Sequence, residues 1–274
     1  MTEKVWFITG TSRGFGREWT SAALERGDKV AATARNTAAL DDLVQKYGDA
    51  LLPIRLDVTD RGADFAAVKR AHDHFGRLDI VVNNAGYGQF GLVEELSEQE
   101  ARNQIETNFF GALWITQAAL PYLREQGSGH IIQVSSIGGI TTVQNLGIYH
   151  ASKWALEGLS QSLAQEVAPF GVHVTLVEPA SFDTDWGGAS AKRAARLPAY
   201  AEVHSAADKA RSERAANQGQ SRATAAALLK VVDAEKPPLR VFFGASPLET
   251  TKAEYESRLR NWEEWQPVAE LAQG

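Results

Sequence analysis

The sequence predicts an α/β fold, in which about seven strands form a doubly wound parallel sheet with helices on both faces. Two observations predict it. Short apolar runs, of the kind that is buried on both faces of a parallel sheet, alternate along the chain with segments of helical period. Turns rich in glycine or in amide side chains follow several of these runs, at the end of the sheet where such folds bind ligands.

The predicted strands are residues 5–8, 29–34, 51–56, 78–82, 131–135, 171–177 and 239–244. Helical patterns include residues 98–124, 149–169 and 221–232. The chain has 274 residues, which is enough for one domain with a large core. No internal repeat, low-complexity tract or linker divides it. We therefore expect one domain over residues 1–274.

The composition excludes several classes of function. A net charge of −6 leaves no basic excess to neutralise phosphates, so we expect no nucleic-acid partner. The absence of cysteine removes disulfides, thiolate catalysis and cysteine-bound zinc, and it fits a reducing compartment. His72 and His74 lack further ligands at metal-binding spacing, so no metal is expected. The N-terminus has no signal-peptide layout and no apolar run is long enough to span a bilayer, which predicts a cytoplasmic protein without membrane contact.

The first predicted strand runs into a glycine-rich turn that precedes a helical pattern. Gly10, Gly14 and Gly16 follow a Gly-x-x-x-Gly-x-Gly spacing. Glycines allow a tight turn and a close approach to a pyrophosphate, and the start of the helix supplies free N–H groups and a positive dipole end. The turn is therefore a candidate dinucleotide site, the alternative being a glycine-rich turn without a ligand.

The second predicted strand ends at Arg35, in the position that meets the adenosine ribose in dinucleotide-binding folds. A carboxylate there accepts from the 2′-hydroxyl of NAD, whereas an arginine accommodates the 2′-phosphate of NADP. No carboxylate is present, and Arg13 in the glycine turn offers a second guanidinium. We predict NADP(H) as the cofactor, the alternative being that both arginines are solvated surface residues.

Tyr149 and Lys153 stand four positions apart at the start of a helical segment. Side chains at this spacing lie on one face of a helix, one turn apart. An ammonium ~5 Å from a phenol favours phenolate by up to roughly 3 kcal/mol at an effective dielectric of ~20. The spacing therefore predicts a lowered pKa for Tyr149 and a general acid or base at neutral pH. Ser136, thirteen residues earlier and after an apolar run, is placed to hold a substrate oxygen.

The combination of Ser136 with Tyr149 and Lys153, behind this form of glycine turn, resembles the short-chain dehydrogenase/reductase family over about residues 4–245. The resemblance implies a Rossmann-type fold. It also implies that Asn108 belongs to the catalytic set, where it binds a water that links Lys153 to solvent. The residues it assigns to the cofactor are Gly10, Ser12, Arg13, Gly14, Phe15, Gly16, Arg35, Asp57, Val58, Asn84, Ala85, Gly86, Tyr149, Lys153, Pro179 and Thr184.

Within that set, the resemblance gives Asp57 and the Val58 backbone to the adenine edge, and Thr184 to the nicotinamide carboxamide. The turn after the sixth strand departs from the family pattern. It reads Pro179-Ala180, where the family usually has Pro-Gly. Alanine narrows the backbone freedom of this loop, so its geometry is less certain than the chemistry.

The expected function is an NADP(H)-dependent oxidoreductase that interconverts a ketone or aldehyde and an alcohol. Tyr149 is the expected general acid and base, Ser136 the residue that holds the substrate oxygen, and Lys153 the group that binds the nicotinamide ribose. The alternatives are an epimerase or dehydratase of the same superfamily, and a non-catalytic NADP-binding sensor or scaffold of the same fold.

The last third of the chain is the least determined by its pattern. By resemblance, residues 180–220 form a lid over the substrate, and their aromatic and alanine content suggests a bulky apolar carbonyl compound. Residues 245–274 read as an additional charged helix. Because such a helix would cover a surface that tetrameric relatives bury, we expect a homodimer formed by the two long helices.

Overall fold

Seven parallel strands form the central sheet of the computed structural model, which describes residues 3–274. Two further short strands lie outside this sheet. In chain order, the strands of residues 3–274 are β1 (Val5–Thr9), β2 (Lys29–Ala34), β3 (Leu51–Arg55), β4 (Ile80–Asn83), β5 (Gln89–Phe90), β6 (Gly129–Val134), β7 (Val172–Pro179), β8 (Lys192–Arg193) and β9 (Arg240–Phe243). The order across the sheet is β3-β2-β1-β4-β6-β7-β9, and β5 pairs with β8 separately. This confirms the predicted fold class.

The helices are α1 (Gly14–Glu25), α2 (Asp41–Tyr47), α3 (Arg61–Phe75), α4 (Glu98–Ile105), α5 (Gly111–Gln126), α6 (Gly147–Val167), α7 (Ala201–Ala216), α8 (Ala223–Val232) and α9 (Pro247–Gln273). The segment predicted as one helix over 98–124 is divided by a π-helical turn, Glu106–Phe110. Within residues 3–274, each helix is too short or too polar to cross a membrane.

The core lies on both faces of the sheet because successive strand residues point to opposite sides. Phe7 and Val81 pack on one face against α3, α5 and α6. Ile8 and Val82, their neighbours in sequence, pack on the other face against Trp19 of α1 and against α8. The strand order reverses direction between β1 and β4, and ligands bind at the carboxyl ends of the strands at such a point.

Asp64, in α3, is a buried carboxyl group without a partner. Its side chain is 0% exposed, and neither oxygen has a hydrogen-bond partner within residues 3–274. Burial raises the pKa of Asp64 to about 8, and the charges of Asp60 and Asp57 add to this effect. The folded protein therefore holds Asp64 protonated at neutral pH, whereas the unfolded chain ionises it near pH 4.

We expect Asp64→Asn to stabilise the protein at pH 8. A carboxyl group with a raised folded pKa contributes its full stability below the unfolded pKa, and this contribution is lost as the pH rises toward 8. Asparagine does not ionise, so the variant avoids that loss. The difference in free energy of unfolding between the variant and the native chain should shift in favour of the variant by on the order of 2 kcal/mol from pH 4.5 to pH 8. Urea unfolding at both pH values measures the difference. Asp73→Asn, on the exposed side of the same helix, is the control, and equal pH slopes for Asp64→Asn and the native chain would contradict the expectation.

The two segments in the last third of the chain that the sequence determines least both have regular structure. The lid segment contains the turn Asp185–Gly187, β8 and the helix α7, which the sequence pattern did not predict. The additional C-terminal helix is present as α9. Arg258 joins α9 to the main body, because its guanidinium lies over the Trp154 ring and donates to the Ile140 carbonyl. The large apolar side chains further along α9 are exposed, among them Trp262 and Trp265.

Candidate active site

The glycine turn connects β1 to α1 at the carboxyl edge of the sheet. A Cβ at Gly16 would lie 2.5 Å from the Gly10 carbonyl oxygen, so the helix can pack against the turn only through glycine. The amide and the hydroxyl of Thr11 both donate to the Thr33 carbonyl at 3.0 Å, which ties the turn to the end of β2. The turn is therefore held rigidly between the two strands that the predicted cofactor has to bridge.

The first turn of α1 is open to a ligand. Arg13 occupies the N-cap position in an extended conformation, and its side chain does not cap the helix. Its Nη1 instead lies 3.0 Å from Oδ2 of Asp185, in the lid segment. Uncapped N–H groups and the positive end of the helix dipole form a site for a phosphate, so this end of the turn fits the pyrophosphate of a dinucleotide.

The Asn84 side chain braces the glycine turn. Its Nδ2 donates to the Thr9 carbonyl at 2.8 Å and to the Gly10 carbonyl at 3.1 Å. The backbone amides of Asn84 and Ala85 both donate to the Thr9 hydroxyl at 3.0 Å. The loop after β4 is therefore attached to the loop after β1, as a site shared by the two strands requires.

Asn108 lies in the π-helical turn and is 2% exposed. Its Nδ2 donates to the Tyr87 carbonyl at 3.0 Å and to the Ser152 hydroxyl at 3.2 Å, and its Oδ1 accepts from the Tyr87 amide at 3.1 Å. The side chain therefore joins the loop after β4 to α6, the helix of Tyr149. Gly86 lies beside it, where a Cβ would be 3.1 Å from Oδ1 of Asn108. A π-helical turn also relaxes the regular hydrogen bonding of the backbone, and such turns are frequent at functional sites.

Tyr149, Ser136 and Lys153 come together beyond the end of β6. The Ser136 hydroxyl follows the strand and lies close enough to the Tyr149 phenol to lower the pKa of that phenol, and it also accepts from the Gly138 amide at 3.0 Å. The Lys153 Nζ lies 5.9 Å from the centre of the Tyr149 ring and donates to the Val134 carbonyl at 2.7 Å. Strand β6 and helix α6 thus bring together the phenol, hydroxyl and ammonium groups that the sequence indicated.

The pKa of Tyr149 departs from expectation, because burial raises it to about 12, although the nearby Ser136 hydroxyl lowers it in part. Trp186 contributes to this burial, since its ring centre lies 4.8 Å from that of Tyr149, which is 6% exposed. The pKa of Lys153 is itself lowered, to about 8, by burial, while the charge of Glu157 raises it in part. The expectation of a lowered phenol pKa is therefore wrong for this arrangement of the lid.

We expect Trp186→Ala to expose the phenol and to return the pKa of Tyr149 toward 10. Nitration by tetranitromethane requires an accessible phenolate, so its rate at Tyr149 should rise about tenfold or more, as a pKa decrease of one unit or more implies. Peptide mass spectrometry after timed exposure measures that rate. Trp154→Ala, which removes a partly exposed tryptophan from α6, the helix that carries Tyr149, is the control. An unchanged rate in Trp186→Ala would contradict the covering role.

The remaining predicted cofactor residues lie around the same edge of the sheet. Arg35 follows β2 directly and is exposed. The Asp57 carboxylate accepts from the amide and the hydroxyl of Thr59, and Val58 is buried beside α5. Pro179 ends β7, and Thr184 caps the turn that carries Trp186, with its Cγ2 3.6 Å from where a Cβ of Gly14 would lie. Ser12 and Phe15 belong to the glycine turn itself, and Phe15 stacks on Trp19.

The sequence analysis missed a buried pair of carboxyl groups behind Lys153. Glu157 lies one helical turn after Lys153, and Glu178 lies near the end of β7. The Arg240 Nε is 3.0 Å from Oε2 of Glu157 and 3.5 Å from Oε1 of Glu178. Burial raises the pKa of both groups, that of Glu178 to about 8, with the charge of Glu157 adding to the effect. Lone carboxylates in a helix and a strand gave no signal of this pairing.

Residues 4–195 of the chain match the model of the short chain dehydrogenase family. An oxidoreductase of Botryotinia fuckeliana, BOA17, is 40% identical over 268 residues, which cover 97% of this chain and 98% of the fungal protein. The match thus extends over nearly the whole length of both chains, including the lid segment and α9.

Two solved structures share the architecture. A short-chain dehydrogenase of Streptomyces avermitilis superposes with a TM-score of 0.92 at 40% identity, covering 99% of this chain and 98% of its own. A short-chain dehydrogenase of Burkholderia cenocepacia in complex with NADP superposes with a TM-score of 0.75 at 27% identity, covering 96% of this chain and 97% of its own.

Proposed function

Because the chain belongs to the short-chain dehydrogenase family of oxidoreductases, we propose that it interconverts a ketone or aldehyde and an alcohol with NADP(H), using Tyr149 as general acid and base. One observation carries the proposal. The Tyr149 phenol lies beside the Ser136 hydroxyl at the carboxyl edge of the sheet, together with the Lys153 ammonium, and the uncapped first turn of α1 opens at the same edge. A proton donor and an anion site at one edge are what this reaction requires.

The proposed roles follow from the contacts of the side chains. Ser136 holds the substrate oxygen beside the phenol, and Tyr149 gives that oxygen a proton in reduction or removes it in oxidation. Lys153 supplies positive charge beneath the phenol and binds the nicotinamide ribose. Asn108 keeps the loop after β4 and the helix α6 in register and belongs to the proton relay. A raised pKa keeps Tyr149 protonated at neutral pH, which suits it to donate a proton in the reductive direction.

The glycine turn, the loop after β4 and the Pro179–Thr184 loop would hold the cofactor. When bound, it supplies or accepts the hydride. The close packing at Gly16 and the bracing by Asn84 give this edge the shape that a pyrophosphate needs. Asp57 and Val58 are assigned to the adenine end, and Thr184 to the carboxamide end.

NADP(H) is preferred over NAD(H) because of Arg35. The side chain is exposed directly after β2, at the position that meets the adenosine ribose in dinucleotide-binding folds. It makes no ion pair within residues 3–274. Arg13 stands nearby in the glycine turn, but it is paired with Asp185. The NADP-bound Burkholderia structure supports the same cofactor.

The proposed function is tested by NADPH consumption, followed at 340 nm, against a panel of ketones, aldehydes and quinones. A parallel titration measures NADPH binding alone. We expect saturable consumption with at least one carbonyl compound, and no consumption without one. Tight NADPH binding without turnover on any member of the panel would instead favour the non-catalytic binding protein.

A further inference from the structure

A groove beside the covered phenol contains four arginines. Arg193 and Arg196 come from the lid strand β8 and the residues after it, and Arg211 and Arg214 from the helix α7. The lining also includes Phe90 and Leu146, which pack in one cluster with Tyr149 and Trp186. The groove therefore adjoins the proposed reaction site along Phe90 and Leu146.

The acidic side chains of the groove, Glu95 and Asp208, already have partners that line the same groove. Oε1 of Glu95 contacts His204 at 2.6 Å and accepts from the Leu197 amide at 2.8 Å. Asp208 pairs with Arg196 at 2.8 Å. The other three arginines of the groove have no carboxylate within 4.0 Å among residues 3–274, so their charges are not neutralised there.

Two of these guanidinium groups share one apolar support, and Nη2 of Arg193 also donates to the Gly187 carbonyl at 3.0 Å. The guanidinium carbon of Arg193 lies 5.2 Å, and that of Arg211 5.9 Å, from the centre of the Phe90 ring. Like charges repel when held around one ring, and an anion placed between them would relieve the repulsion. Planar guanidinium groups bind carboxylates and phosphates through paired hydrogen bonds.

We propose that the groove binds an acidic group of the substrate, so that the enzyme acts on carbonyl compounds that carry a carboxylate or a phosphate. This inference rests on the proposed function. The acidic group lies among Arg193, Arg211 and Arg214, and an apolar stem of several carbons passes Phe90 and Leu146 toward Tyr149. The acidic group takes no part in the bond changes, in which the carbonyl gains a hydride at carbon and a proton at oxygen. This replaces the earlier expectation of a wholly apolar substrate.

The activity test compares 7-oxooctanoate with its methyl ester in the presence of NADPH. Charge-assisted hydrogen bonds from arginine should give the acid a kcat/KM about tenfold or more above that of the ester. In the double variant Arg211→Gln/Arg214→Gln this ratio of acid to ester should fall to within about threefold of one. The charge-conserving variant Arg211→Lys should keep part of the native ratio. Lys209→Gln removes a positive charge from an exposed position of the same helix outside the groove and should leave the ratio unchanged.

A binding test separates this inference from the proposed function. Titration calorimetry measures octanoate against octanamide, neither of which reacts, and octyl phosphate as a third ligand. The acid site is supported if octanoate or octyl phosphate binds more tightly than octanamide and the double variant loses this preference. The anion that binds more tightly, octanoate or octyl phosphate, then identifies the acidic group as a carboxylate or a phosphate. Equal binding of all three ligands, or equal kcat/KM for acid and ester, would overturn it while leaving carbonyl reduction intact. Melting curves of each variant establish that it is folded.

Discussion

Tyr149→Phe is expected to lower kcat for carbonyl reduction by about 10²- to 10⁴-fold, the range typical of a lost general acid. The affinity for NADPH should change little, because the phenyl ring keeps its packing against Trp186 and loses only the hydroxyl. Stopped-flow or steady-state absorbance at 340 nm gives kcat, and quenching of tryptophan fluorescence gives the Kd for NADPH.

The control for this variant is Tyr255→Phe, which removes a phenol hydroxyl from the partly exposed side chain on α9. It should behave as the native protein does in both measurements. Near-native turnover of Tyr149→Phe on a substrate that the native enzyme reduces would defeat the assignment of Tyr149 as general acid.

Arg35→Asp should reverse the preference between the two nicotinamide cofactors. The change removes a guanidinium that can pair with a 2′-phosphate and introduces a carboxylate that accepts from a 2′-hydroxyl. The ratio of kcat/KM for NADPH to that for NADH should fall about 100-fold, as expected for one lost charge-assisted contact with added repulsion. Initial rates with each cofactor, at a fixed saturating concentration of the carbonyl substrate, measure the ratio.

Arg70→Asp, which makes the same charge change at an exposed position on α3, is the control. It should leave the ratio within about twofold of the native value, because screening weakens charges at a distance. An unchanged ratio in Arg35→Asp would mean that another group holds the phosphate. Arg55 is the first candidate, since it lies opposite Ala34 in the register of β2 and β3.

The sheet could be predicted well from the sequence because buried parallel strands are nearly continuous apolar runs. Strand β2 was predicted at its observed bounds, and the other six strands of the main sheet within two residues at each end. The helix α7 was missed because its composition is rich in alanine and charge, and only His204 of its residues is buried. A helix without an apolar stripe leaves little periodicity to detect.

The positions of the candidate residues in the fold were easier to predict than their environment. Tyr149, Ser136 and Lys153 come together as their spacing indicated, because one helix and the end of one strand carry them. The direction of the Tyr149 pKa shift was wrong because it depends on burial by side chains that are distant in sequence, Trp186 among them. The arginine groove was missed for the same reason, since β8 and α7 supply its charges from separate segments.

The contact between Gly88 and Trp186 constrains how the lid can change. A Cβ at Gly88 would lie 2.6 Å from Cζ2 of the tryptophan, so even alanine at this position displaces the indole. A mutant library that randomises position 88 alone should therefore return glycine among its active members. One that varies both positions should recover larger residues at 88 together with smaller residues at 186, so the two positions constrain the lid jointly.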